Sequence, residues 1–244
     1  MMIELVLVEG VSDVQLISYY LQNVYGWKYE RENILGIESL DDHECIENLS
    51  KNGNKVVLCG VGGNGKFAHF VERHRINYMI VEKDISSLMV VTDRDEASDA
   101  KIRNQINDSL EQISVECNRW KDNTIQDSFG LEKNISTYLL VIPAHEKGAL
   151  ERVIIHALND IPQESALIHE VEQFINYLKV DLVPDLNKTN NANKATVGTF
   201  FSVRYPKRAM RSFGVFISKI DWSQSESLKQ LFLPFQSLGE EKPV

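Results

Sequence analysis

Cysteine is scarce in this 244-residue chain. Cys45, Cys59 and Cys117 are scattered, odd in number and never at C-x-x-C spacing. That usage argues against a disulfide framework or a structural zinc site and suits a reducing compartment. Long apolar runs are missing as well. No stretch approaches the roughly 18 apolar residues that span a bilayer. Ile3 to Val8, accompanied by Glu4 and Glu9 rather than basic residues, is too short for a secretory signal. The expectation is a cytoplasmic protein with no membrane partner. Net positive charge is absent too: 26 Lys and Arg stand against 35 Asp and Glu, a formal charge of -9. This argues against a basic nucleic-acid coat, because phosphate binding needs local positive charge. It leaves room for a nuclease, whose carboxylates are offset by bound cations. No internal repeat or low-complexity tract occurs, and 43% hydrophobic with 25% charged residues is ordinary for a globular protein.

Ile3–Val8 is a nearly continuous apolar run, as expected of a strand buried on both faces. A helix follows, with Val14, Ile17, Leu21 and Val24 on one stripe and Ser12 as its expected N-cap. The pattern then predicts a weak strand at Ile34–Ile37 and a short polar helix over Asp41–Leu49. A strand at Lys55–Cys59 runs into the glycine-rich turn Gly60–Gly65, and Lys66–Val71 reads as helical. Leu88–Val91 is a further buried strand, followed by a long helix to about Cys117. Tyr138–Ile142 is the fifth strand. This alternation predicts an α/β fold with a doubly wound, mostly parallel sheet. Helices are expected at Ala149–Leu158, Glu164–Leu178 and Ser225–Phe235, a polar loop at Asn187–Asn193, and a frayed end from Gly239. Thr196–Val203 is ambiguous. The expected organisation is an α/β domain over residues 1–158 and a mostly helical extension over 159–244.

Glu9 and Asp93 each stand just beyond a predicted buried strand, where ligands bind in open α/β sheets. Asp13 lies one helical turn past Glu9, and Asp95 is two residues past Asp93. Clustered carboxylates raise each other's pKa unless neutralised, and a hard divalent cation such as Mg²⁺ removes that cost. The structural alternative is that Asp13 and Asp95 only cap helix N-termini.

The segments LVEGVSD (residues 7–13) and VVTDRDE (90–96) resemble the Toprim domain shared by topoisomerases, DnaG-type primases and the OLD (overcoming lysogenization defect) nucleases. The resemblance implies that Glu9 acts as general acid/base or metal ligand and that Asp93 and Asp95 bind Mg²⁺ or Mn²⁺. PAHEKGALE (143–151) resembles a segment of the OLD-like and small stand-alone branch, which implicates Glu151 as a further metal ligand. Lys194 is similar in placement to that branch's C-terminal catalytic lysine. The motif-level likeness covers roughly residues 3 to 155 and carries no ATPase domain, Cys₄ module or topoisomerase active-site region. It implies a metal-dependent nuclease acting on DNA or RNA, with a separate ATPase partner in bacterial anti-phage defence.

GVGGNGKF (60–67) is one residue from a phosphate loop, but Phe67 replaces the hydroxyl residue that ligates Mg²⁺. The preferred reading is a glycine turn beside the metal-site crevice, with Lys66 near phosphate; a P-loop NTPase is the weaker one. The dispersed histidines suggest no metal set, and His145 alone lies near the Glu151 segment. Arg204, Tyr205, Lys207, Arg208 and Arg211 form the densest basic cluster, read either as a nucleic-acid contact or as a solvated face. A metal- and nucleic-acid-binding regulatory module without turnover is the alternative function. The sequence leaves the oligomeric state open, a homodimer included.

Overall fold

A computed structural model describes residues 1–37, 39–126, 130–209, 211 and 213–242. The chain forms two compact units, Met1–Val141 with Pro234–Val244, and Ile142–Leu233. The division falls before the expected boundary at 158/159, and the last segment of the chain belongs to the first unit.

The first unit runs β1 (Ile3–Val8), α1 (Val11–Asn23), β2 (Lys28–Glu30), β3 (Glu44–Lys51), β4 (Asn54–Val61), α2 (Phe67–Arg73), α3 (Ile76–Glu82), β5 (Ile85–Asp93), α4 (Asp99–Leu110), β6 (Lys121–Gln126) and β7 (Glu132–Ile142). Its seven strands are ordered β2-β3-β4-β1-β5-β7-β6. The sheet is parallel at its centre, where β1 pairs with β4 and β5. It carries antiparallel pairs β2–β3, β3–β4 and β6–β7 toward its flanks. This is the expected α/β, doubly wound architecture. Leu5, Leu7, Val57, Cys59, Leu88 and Val90 join one apolar cluster with residues of α2, α3 and α4. Their neighbours Val6, Val8, Leu58, Met89 and Val91 are equally buried and, by the two-residue period of a strand, point the other way. Helix α1 packs on β3 and β4, and its buried Val14, Ile17 and Leu21 lie outside that cluster. Burial on both faces is why β1, β4 and β5 are unbroken apolar runs.

Several local expectations are corrected. Helix α1 is capped by Gly10, not Ser12. Ile34–Ile37 forms no strand; its Ile34, Leu35 and Ile37 are buried as irregular chain. The expected helix over Asp41–Leu49 is instead β3, joined to β4 by Asn52-Gly53, both at positive φ. That dipeptide is the hairpin turn whose twist matches its strands. Helix α4 ends at Leu110 rather than near Cys117.

β1 carries a buried carboxylate near its start. Glu4 is fully buried, accepts Ser87 Oγ–H at 2.9 Å and the Gly239 N–H at 2.6 Å, and pairs with Lys242. The lysine side chain is itself 6% exposed and sits 5.1 Å from the Trp120 ring centroid. Residues 239–242 are thus docked rather than frayed; Pro243 and Val244 lie outside the described residues. A charge pair this deep is held by its own desolvation, because either partner alone would be an uncompensated ion.

The second unit holds α5 (Leu150–Asp160), α6 (Ser165–Asp181), α7 (Thr189–Arg204), α8 (Phe213–Ile217) and α9 (Glu226–Leu231). Phe200, Phe201, Phe216 and Trp222 fill its interior; Phe201 stacks on Phe216 at 4.9 Å, and Trp222 Nε1–H donates to the Ile217 carbonyl at 2.8 Å. The Asn-rich segment expected as a loop is mostly the first turns of α7. Ser225 caps α9, accepting from the Leu228 N–H at 3.1 Å. Asp160 then accepts from Ser225 Oγ–H at 3.0 Å and from the Ser227 N–H at 2.7 Å.

Replacing Lys242 by Ala should destabilise the first unit by roughly 3–5 kcal/mol, while Glu4→Gln/Lys242→Met should recover much of that loss; chemical denaturation of the variants measures both. Asp160 has its pKa lowered, since the Ser227 and Ser225 hydrogen bonds and His156 outweigh its partial burial. A carboxyl with a depressed folded pKa contributes stability above its unfolded value, lost as pH falls through the folded one. Asp160→Asn should therefore cost about 1 kcal/mol at pH 7, as for loss of a helix-end bond. The gap to wild type should close as pH falls below the ordinary carboxylate range, read from thermal melts across pH.

Candidate functional site

In the parallel register, Val8 stands opposite Val91. The next residue on β1, Glu9, therefore meets the end of β5. Its Oε1 accepts the Thr92 hydroxyl at 2.5 Å and the Asp93 N–H at 2.9 Å. Glu9 is 8% exposed, and burial raises its pKa. The Thr92 and Asp93 hydrogen bonds oppose that rise, and the nearby charge of Asp95 adds to it. A carboxyl with a raised pKa and an acidic D-x-D pair therefore share one edge of the sheet.

Asp95 has φ +47°, in the left-handed region that few non-glycine residues adopt. Its Oδ2 accepts from Asn64 Nδ2–H at 3.1 Å. The loop that supplies Asn64 is fixed to β1, because the Gly63 N–H donates to the Glu9 carbonyl at 2.7 Å. Gly62, Gly63 and Gly65 all have positive φ, so this loop needs glycine for its backbone path. At the end of β4, Gly60 leaves no room for a Cβ, which would stand 2.8 Å from Cys45 Sγ and 3.3 Å from the Gly10 backbone. A cavity of about 230 Å³ opens beside this edge, lined among others by Asn64, Phe67, Thr92, Asp93 and Asp95.

Asp13 is buried and turns one oxygen back to the Gly10 N–H at 3.0 Å. That is the helix-capping geometry of the structural alternative. Among the described residues, no three His, Cys, Asp or Glu side chains are arranged to hold a metal ion. Glu9 and Asp13 each turn one carboxylate oxygen to protein donors. The donor set still suits a hard cation of the Mg²⁺ kind, which binds through one or two carboxylates and keeps several waters. Asp93 and Asp95 are the pair that would hold it.

Lys66 is exposed at the N-cap of α2, and the Phe67 ring beside it is buried. Glu151, in the first turn of α5, and Lys194, exposed on α7, belong to the second unit. The basic cluster is corrected in part. Arg204 forks onto the buried Glu164 carboxylate at 2.8 and 3.1 Å, and the Tyr205 hydroxyl donates to the Lys219 carbonyl at 3.2 Å. These two hold the second unit together, while Lys207, Arg208 and Arg211 are exposed. His145 lines a cavity of about 420 Å³ with Glu146, Val153, His156, Ser227 and Gln230. Glu146 there accepts from Arg152 at 3.0 Å and pairs with His156 at 2.7 Å, so its charge is already met. Thr92 and Asn64 are the contributors that sequence reasoning missed; their signals were adjacency to the D-x-D and a polar residue inside a glycine turn.

Among the described residues, no helix is long and apolar enough to cross a membrane. A crystal structure described as a hypothetical protein, PH0156, from Pyrococcus horikoshii OT3 is similar with a TM-score of 0.54. The identity is 16%, over 97% of this chain and 98% of that one, so the likeness is one of fold. No curated protein matches the chain. A family described as "Protein of unknown function (DUF3226)" matches residues 3–235. With nearly its whole length matched, the chain belongs to that DUF3226 family.

Proposed function

We propose that this protein is a metal-dependent phosphodiesterase acting on DNA or RNA, with a Toprim-like site built from Glu9, Asp93 and Asp95. One observation carries the reading: Glu9, just past β1, and the D-x-D pair that begins at the last residue of β5 meet at one sheet edge, where the pair lines a cavity. A divalent cation at Asp93 and Asp95 would supply charge stabilisation for the phosphorane-like oxygens. The protein's own part is carried by Glu9. Its burial lets it hold a proton to higher pH than an exposed glutamate, which suits general acid/base work near neutrality. Thr92 and the Asp93 amide fix the carboxyl's orientation, so the proton-bearing oxygen faces a constant direction. Asn64 steadies Asp95 from the glycine loop.

A second reading, a metal- and nucleic-acid-binding module without turnover, draws on the capping role of Asp13 and the absence of a three-carboxylate cage among the described residues. A P-loop NTPase finds little support, because the buried Phe67 ring stands where a Mg²⁺-ligating hydroxyl is needed.

Plasmid, single-stranded DNA and tRNA incubated with purified protein should be cut only when Mn²⁺ or Mg²⁺ is present. Glu9→Gln and Asp93→Asn/Asp95→Asn should each lower the rate by roughly 10²–10⁴, the usual worth of a positioned acid or base. Absence of cleavage by wild type, or undiminished cleavage by both variants, would remove the catalytic reading. Retained Mn²⁺-dependent binding without products would establish the module instead.

A further inference from the structure

The cavity beside the D-x-D has a second wall. Lys101 and Gln105 line it from α4, one turn apart and therefore on one helix face. Its remaining cation, Arg94, is bound to Asp99 at 2.5 Å. Lys101 makes no ion pair with any described residue, although Asp93, Asp95 and Glu96 line the same cavity. The Gln105 side-chain amide likewise has no hydrogen bond to a described residue. In the same cavity, Phe67, Ile102 and Ile106 supply an apolar floor. An ammonium, an amide and an apolar floor in one cavity with a cation-binding pair match a sugar phosphate. A phosphate there would meet Lys101 and a cation on the D-x-D pair, and its sugar carbons would meet the apolar residues.

We infer that Lys101 and Gln105 form the phosphate-holding wall of this site, gripping one backbone phosphate of a single-stranded nucleic acid whose sugar packs on Phe67 and Ile102. The inference rests on the proposed phosphodiesterase reading and adds its substrate-gripping residues. Both side chains are exposed, so their replacement leaves the core intact. Lys101 provides charge, and Gln105 provides a neutral hydrogen bond. The two therefore differ in salt dependence, since only a cation meeting a phosphate releases counterions.

The probe is a fluorescein-labelled twelve-nucleotide oligo(dT), and its oligo(U) counterpart, titrated with the full chain in Ca²⁺ over a range of salt, with Mn²⁺ affinity followed by electron paramagnetic resonance. Lys101→Ala should weaken binding about tenfold and reduce the salt slope by about 0.7, the value for one phosphate on a single strand. Lys101→Arg should restore both. Gln105→Ala should weaken binding severalfold with the slope unchanged, and Mn²⁺ affinity should stay constant in all three. Unaltered affinity and slope in Lys101→Ala, with wild type still cleaving, would overturn the inference and leave the phosphodiesterase standing. Weaker binding that merely follows a fall in Mn²⁺ affinity would also overturn it. A wild type that takes up Mn²⁺ but neither binds nor cuts either strand would overturn the phosphodiesterase reading itself, and the inference with it.

Discussion

Val8 faces Val91 across a parallel ladder, and the chemistry of the acidic edge follows from that register. A slip of one residue would turn every side chain of β1 to the opposite face, and the fully buried Glu4 would lose Ser87 of β5 as its partner, so that pair locks the alignment. Once locked, Glu9 has no choice of neighbour. It meets Thr92 and the Asp93 amide, and the D-x-D pair is carried to the same place by β5. Gly60, pressed against Gly10 and Cys45, then lets β4 run close beside this edge, so that the glycine loop can reach the Glu9 carbonyl and place Asn64 on Asp95.

β1 bears a buried carboxylate near each end, and the two are treated differently. Glu4 is answered by an ammonium, a hydroxyl and an amide, so its charge is compensated and it acts as a tie for the last residues of the first unit. Glu9 is answered by neutral donors alone and stands near another carboxylate. Burial with partial compensation raises its pKa, and such perturbed groups cluster at functional sites.

Much of the sheet's centre was legible because strands buried on both faces leave continuous apolar runs, as in Val56 to Cys59 and Leu88 to Val91. The flanks were not. β3 reads ECIENLSK and β6 reads KDNTIQ; strands with one face open to solvent carry too many polar residues for that signal. The Asn52-Gly53 turn was the clue that β3 preceded β4 as a hairpin. In α7 the Asn-rich start hid a helix whose register is set later, by Val197, Phe200 and Phe201. Arg204 and Lys242 illustrate a different limit: their partners, Glu164 and Glu4, lie 40 and 238 residues away, beyond any local window. Of the candidate site, the carboxylates were visible as residues placed after strands. The cap was legible as the alternative for Asp13, whereas Thr92 as a donor was not, because it depends on where one hydroxyl points.

The same geometry couples cation and proton at the edge. The charge of Asp95 is one of the influences that raise the pKa of Glu9. A divalent cation held by Asp93 and Asp95 would reverse the sign of that influence and favour the carboxylate form of Glu9, through the same space and without any contact to it. Metal uptake and proton release are then linked. An occupied D-x-D pair would therefore lower the Glu9 pKa relative to an empty one. Thr92 and the Asp93 amide hold the carboxyl in one orientation through both states, because an oxygen of either form can accept their hydrogen bonds.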